Sequence, residues 1–191
     1  MSGDRLRLPV TPSQTIGPFF HFCLGPDSRA GCLVPTERTA ERIRLHVRVV
    51  DGDGAPVPDA LIELYHADGA GQYLPGPHAS PSSGFCGFGR LPTDGEGSCV
   101  FETVRPGGVP DGKGGRQASH INVCVFARGL LKHLYSRVYF PDDPEHARDP
   151  LLTLVPDDRR TTLMAVATET PGTWTFDIHL QGSNETVFFD L

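Results

Sequence analysis

The chain is 191 residues long with a formal net charge of -6, 38% hydrophobic and 21% charged residues, which suits one domain with a real core. Its charges are scattered and form no basic stripe, which argues against a nucleic-acid partner, and no run of about eighteen apolar residues marks a membrane span. The opening residues contain no apolar stretch of signal-peptide length, so the expectation is a soluble, cytoplasmic protein. Five cysteines, Cys23, Cys32, Cys86, Cys99 and Cys124, are odd in number and lack any CxxC spacing. They read as reduced, mostly buried small hydrophobes.

Residues 1 to about 40 are proline-rich and irregular, an arm and lead-in to the same domain whose body runs from 41 to 191. "IRLHVRVV" then alternates, with Ile43, Leu45, Val47 and Val49 on one face and Arg44, His46 and Arg48 on the other, which predicts a half-buried strand. "DALIELYHA" continues with Ala60, Ile62 and Leu64 facing one way. Further strands are predicted in "GFGRLPT", "SCVFETVRPGGVP", "HINVCVFA", "HLYSRVYF", "TLMAVAT", "TWTFDIHLQG" and the closing "ETVFFDL". Four DGxG quartets, beginning at Asp51, Asp68, Asp94 and Asp111, stand between apolar runs as tight turns, because glycine supplies the positive φ such turns need. Their unequal spacing excludes a solenoid repeat. Many short strands without a long amphipathic helix predict an all-β fold: an antiparallel two-sheet β-sandwich with an irregular N-terminal arm and long loops.

Common catalytic devices are missing. "DGDG" fails as a calcium loop, since Ala55, Pro56 and Ile62 fall where a ligand, a glycine and a glutamate are required. There is no P-loop, nucleophile elbow, dinucleotide fingerprint or HExxH helix. Three weaker signals remain. Tyr73 follows the "DGAG" turn in a polar segment, where a tyrosine is ordinarily a partly buried ring with a bonded hydroxyl. His120 opens a strand, and two positions on, where the same face would offer a second ligand, stands Asn122. Arg128, in "FARG", lies where that strand ends and a cation can project into a cleft. Alone, each is ordinary: a hydrogen-bonded ring, a core histidine and a surface arginine.

In chain order, however, "TPSQTIGPFFHF", "YHADGAGQY", "GFGRLPTD", "RPGGVPDG", "ASHINVCVFARGL", "SRVYFPDD" and "QGSNETVFFD" resemble the intradiol ring-cleaving dioxygenases. Within that family the likeness is to the α type of subunit found in protocatechuate-cleaving enzymes. The resemblance implies a β-sandwich, and in catalytic members a non-haem Fe(III) held by two tyrosines and two histidines, donors that suit ferric iron. Carried onto this chain, the first tyrosine is Tyr73 and the first histidine His120. The second tyrosine position reads Val109, in "RPGGVP", and the second histidine reads Asn122. Valine has no donor atom, and asparagine offers only a neutral amide. The resemblance thus implies a degenerate metal site and no iron in this chain.

It further implies that Fe(III) resides in a homologous β subunit paired with this chain in αβ protomers of a higher oligomer, with protocatechuate and O2 as substrates. By the same resemblance Thr15, Gly17 and Pro18 approach the substrate cleft and Arg128 projects towards it, where a guanidinium would meet the substrate carboxylate. Phe19, Phe20, Phe22 and the terminal "VFFDL" are candidates for the subunit interface or for the core. Two alternatives stay open: an autonomous dioxygenase recruiting unusual ligands, and a non-catalytic β-sandwich carrier.

Overall fold

A computed structural model of the chain describes residues 10–17, 24, 31–33, 41–74 and 85–190. Ten strands are assigned: β1 (Arg42–Val50), β2 (Leu61–Tyr65), β3 (Phe88–Pro92), β4 (Ser98–Val104), β5 (Val109–Pro110), β6 (Arg116–Gln117), β7 (His120–Phe126), β8 (Leu134–Tyr139), β9 (Val166–Ala167) and β10 (Thr173–His179). One four-stranded sheet has the order β4-β1-β10-β9, the other β3-β2-β7-β8, and β5 and β6 form a small ribbon.

The period of two in β1 does what the sequence asks of it: Ile43, Leu45, Val47 and Val49 are all at most 2% exposed. They belong to one core with Ile62 and Leu64 of β2, Ile121, Val123 and Val125 of β7, Val138 of β8, and Phe176 and Ile178 of β10. A fully buried side chain of this kind contributes roughly 1.5–3 kcal/mol. That shared core makes the two sheets the layers of a sandwich. A smaller, separate cluster comprises Ala118, Tyr139, Leu152, Val155 and Leu163.

All four DGxG quartets are turns, and they share one construction. The Asp Oδ1 accepts from the backbone N–H two and four residues on: Asp53 and Ala55 at 2.9 Å for Asp51, Ala70 and Gln72 at 2.9 Å for Asp68, Glu96 and Ser98 at 2.9 Å for Asp94, Lys113 at 2.7 Å and Gly115 at 2.8 Å for Asp111. The closing glycines Gly54, Gly71, Gly97 and Gly114 all have φ between 72° and 92°, a conformation in which a Cβ is penalised.

Three expectations need correcting. Pairing between the named strands is antiparallel except between β1 and β10, which run parallel, with Leu45 opposite Trp174 and Val49 opposite Ile178; more than a hundred intervening residues supply the crossover a parallel pair needs. "TLMAVAT" is not a continuous strand: residues Arg160–Leu163 form a 3-10 turn, Met164 makes an isolated bridge to Tyr139, and Val166–Ala167 pair on the sheet edge. The Met164 N–H bonds back to Thr161 O at 3.2 Å, so local closure prevails over the apolar alternation. "ETVFFDL" makes only an isolated bridge, Phe189 to Tyr135; Val187 and Phe189 pack on the smaller cluster and Phe188 on the main core, which is their burial partner within the chain.

Among the described cysteines Cys99 and Cys124 are buried, Cys86 is half-buried, Cys32 is exposed and all are free. Cys23, Pro18, Phe19, Phe20 and Phe22 lie outside the described residues.

Candidate functional site

Two glycine turns bring the first cluster together. The "DGAG" turn before Tyr73 and the "RPGG" turn before Val109 meet backbone on backbone: Gly107 N–H donates to Asp68 O at 2.9 Å, and a Cβ on Gly107 would lie 2.6 Å from Gly69 O and 2.7 Å from Gly71 N. Glycine is required here by proximity alone. Val109 is 9% exposed and pairs through β5 with Gln117 of β6, three residues ahead of His120.

On β7, His120 and Asn122 share the face away from the core, while Ile121 and Val123 fill it. Both ring nitrogens of His120 are engaged. Nδ1 donates to Ala118 O at 2.7 Å, which leaves Nε2 as the acceptor. The Tyr73 hydroxyl donates to that Nε2 at 3.2 Å and accepts from Asn122 Nδ2 at 2.9 Å. Asn122 Nδ2 also bonds Tyr65 O at 3.0 Å, and the Tyr65 ring stacks on Tyr73 with centroids 5.0 Å apart. Asn122 Oδ1 accepts from Arg137 Nε at 3.0 Å. The donors therefore run one way, from Arg137 through Asn122 and Tyr73 to His120.

Arg137 also bonds Gln117 Oε1 at 2.9 Å and the Tyr139 hydroxyl at 3.4 Å through Nη1. That hydroxyl donates to Asp149 Oδ1 at 3.2 Å. Asp149, fully buried, is further satisfied by the N–H groups of Ala118 at 2.9 Å, Leu151 at 3.0 Å and Leu152 at 2.8 Å. Burial pushes the His120 pKa down to about 4, with the Arg137 charge adding to the effect. Burial also pushes the Tyr73 phenol up, against the opposing pull of the Asn122 hydrogen bond and Arg137. The imidazole and the phenol are thus both held neutral at pH 7.

The second cluster lies at the far end of β7. Thr15 Oγ1 accepts from Gly129 N at 2.8 Å and from Gly17 N at 3.4 Å, tying the arm to the turn that carries Arg128. The Arg128 side chain is 60% exposed, with Nε 3.7 Å from Asp59 Oδ2. Asp59 itself sits at φ 60°. The seven residues of β7 separate this cluster from His120 by roughly 20 Å at about 3.3 Å per residue. Thr15, Gly17 and Arg128 are therefore grouped together and held apart from Tyr73, Val109, His120 and Asn122; Pro18 lies outside the described residues.

A dioxygenase family model matches residues 18–182. The chain belongs to the intradiol ring-cleaving dioxygenase family. It is 41% identical to the protocatechuate 3,4-dioxygenase alpha chain of Burkholderia cepacia, over 96% of this chain and 98% of that one. It is 32% identical to the beta chain from the same organism, over 96% of this chain and 82% of that one. Among solved structures, the dioxygenase domain of a dioxygenase–carbohydrate-binding fusion from Streptomyces sp. SirexAA-E superposes with a TM-score of 0.62 at 27% identity, covering 92% of this chain and all of that one.

The family is iron-dependent, and the residues present do not fit the metal. Val109 brings a buried side chain without a donor atom. The Asn122 oxygen is already held by a guanidinium, whose charge opposes a cation beside it. Two donors, Tyr73 and His120, are too few to hold ferric iron specifically.

Sequence reasoning missed Arg137, Gln117, Tyr139 and Asp149. A signal for Arg137 existed, since in "LYSRVY" it occupies the same alternate set as Tyr135 and Tyr139. Only the register Asn122 opposite Arg137 shows what it faces.

Proposed function

We propose that this chain is the α-type subunit of a protocatechuate 3,4-dioxygenase. Its reaction inserts both atoms of O2 into protocatechuate to give 3-carboxy-cis,cis-muconate, at an Fe(III) carried by a homologous β subunit. One observation carries the reading: in a chain similar to both alpha and beta chains, the network at Tyr73 and His120 has Val109 and Asn122 in the other two ligand positions and Arg137 against the asparagine oxygen. The chain's own chemistry is thereby reduced to positioning and charge.

The Arg128 cluster supports the same reading. A cation about 20 Å along β7 from His120 cannot serve its own chain's degenerate position, whereas two homologous chains related by a pseudo-twofold exchange such surfaces. Arg128 then offers the substrate carboxylate a charged fork of donors, and Thr15 holds the Gly129 turn in place. Gly17 shapes the wall beside it.

The test is to purify the chain alone and co-expressed with its β partner, measuring bound iron and the visible tyrosinate-to-iron absorption. The chain alone should be colourless with iron far below one per chain, and the complex coloured and active. Stoichiometric, coloured iron in the isolated chain would overturn the proposal.

A further inference from the structure

Beside the Arg137 network, the outer face of the β3-β2-β7-β8 sheet is hollowed into a cleft of about 270 Å³. Phe88, Leu151 and Phe189 supply apolar walls, and Tyr65, Tyr135 and Arg137 contribute to its floor. An apolar cavity of about 150 Å³ takes a benzene molecule, so this cleft has room for a six-membered ring bearing one small substituent.

Two charged side chains of opposite sign line it, and they differ in how they are matched. Glu63 is paired with Arg90, whose Nη2 lies 2.5 Å and Nε 2.7 Å from Glu63 Oε1. Arg137 has no such counter-ion among the described residues. Its hydrogen bonds go to the neutral oxygens of Asn122, Gln117 and Tyr139, and no carboxylate is within 4.0 Å of its nitrogens among the described residues. Asp149 is reached only through the Tyr139 hydroxyl. Arg137 Nη2 makes no hydrogen bond among the described residues. Nη2 of this half-buried guanidinium is thus left without an acceptor among the described residues beside an apolar cleft, and a carboxylate oxygen is the acceptor that would also match its charge.

We propose that this cleft is a binding site for a small, flat, apolar monocarboxylate, with Arg137 Nη2 donating to the carboxylate and Phe88, Leu151 and Phe189 enclosing the ring. The site needs no metal and no ring hydroxyls. It stands or falls independently of the proposed partner, because every group in it belongs to this chain.

The experiment is calorimetric titration of the full-length chain with benzoate, benzamide and 3,4-dihydroxybenzoate. Benzoate should saturate one site per chain, benzamide should bind at least tenfold more weakly for want of the charge, and the dihydroxylated ring should bind no tighter than benzoate. Arg137→Met should weaken benzoate at least tenfold. Leu151→Trp, which fills the cleft and leaves the guanidinium network untouched, should abolish binding, so the test survives if the Arg137 variant fails to fold. Four results each overturn the proposal: no saturable benzoate binding at millimolar concentration, equal affinity for benzamide, tighter binding of the dihydroxylated ring, or unchanged affinity in folded Leu151→Trp.

Discussion

Arg137 Nε donates to Asn122 Oδ1 at 3.0 Å, across a β7–β8 register in which the two residues are direct partners. This contact fixes the amide: with its oxygen turned to Arg137, its nitrogen must face the Tyr73 hydroxyl, 2.9 Å away. A positive charge has come to stand beside the position from which the ligand set would hold a cation. On the proposed reading, the site departs from the family's iron ligand set in two ways, missing donors and an added charge.

It follows that restoring the donors alone should fail. Val109→Tyr with Asn122→His supplies a four-residue donor set, yet leaves the guanidinium beside it, and two unit charges about 4 Å apart repel by roughly 4 kcal/mol at an effective dielectric of about 20. The double variant, purified alone, should carry little iron. Adding Arg137→Gln should raise the iron content several-fold and bring up visible tyrosinate absorption. Full iron occupancy in the double variant would show that Arg137 does not oppose the metal.

Acid should destabilise the chain before its carboxylates titrate. His66 and His120 are both fully buried, and burial lowers each pKa from 6.5 to about 4. His66 is held neutral between Ala67 O at 2.7 Å and the Thr103 hydroxyl at 2.8 Å. Because the folded pKa lies below the unfolded one, the unfolded chain binds more protons between the two values, so stability is complete above pH 6.5 and falls as the pH drops towards 4. Each imidazole should contribute on the order of 3 kcal/mol to that loss. Urea midpoints at pH 7.5, 5.5 and 4.5 measure it. His66→Gln should be less stable at pH 7.5 yet show a shallower decline; a flat wild-type profile would contradict the assignment.

Gly107 and Gly95 make a matched pair. Neither has a positive φ, but a Cβ on Gly107 would meet Gly69 O at 2.6 Å and Gly71 N at 2.7 Å, whereas one on Gly95 meets nothing within 4 Å. Gly107→Ala must force apart the two turns that carry Tyr73 and Val109, and should cost about 2–4 kcal/mol, as overpacking against backbone does. Gly95→Ala should change stability by less than about 0.5 kcal/mol. Denaturant unfolding of the two variants checks the contrast.

How far the sequence reaches is clearest in particular residues. The four aspartate turns are readable because their geometry is local: one Oδ1, two N–H groups and one glycine within five residues. Strand faces in β1 and β7 are readable because burial alternates with sequence. The parallel β1–β10 pairing is not, since nothing near Leu45 records that Trp174 lies beside it. Tyr73, His120 and Asn122 could be named from motif order, but Arg137 gains its meaning from a cross-strand register and Asp149 from backbone N–H groups brought in from Ala118 and Leu152. The short turn at 160–163 was misread because Leu163 and Ala165 are buried on alternate positions, as they would be in a strand.

Arg128 and Asp59 allow a test in which charge and structure pull apart. Their pair is long, 3.7 Å, and Arg128 is 60% exposed, so as a structural contact it is worth little, within about 0–1 kcal/mol. If Arg128 instead meets a substrate carboxylate in the assembled dioxygenase, Arg128→Ala should lower kcat/KM by roughly 10- to 150-fold, the equivalent of one charge-assisted hydrogen bond of about 1.5–3 kcal/mol, with iron content unchanged. Asp59→Asn should act in the opposite direction. Asparagine tolerates the left-handed φ of 60° at this position, so the backbone is undisturbed, while a carboxylate that competes for Arg128 and repels an anionic substrate is removed. KM should fall up to about fivefold, and the gain should shrink at high salt. Were the two residues only a surface ion pair, both variants would lose the same contact and shift the kinetics alike. Steady-state kinetics at two ionic strengths separate these outcomes, because only a substrate-facing Arg128 gives effects of opposite sign.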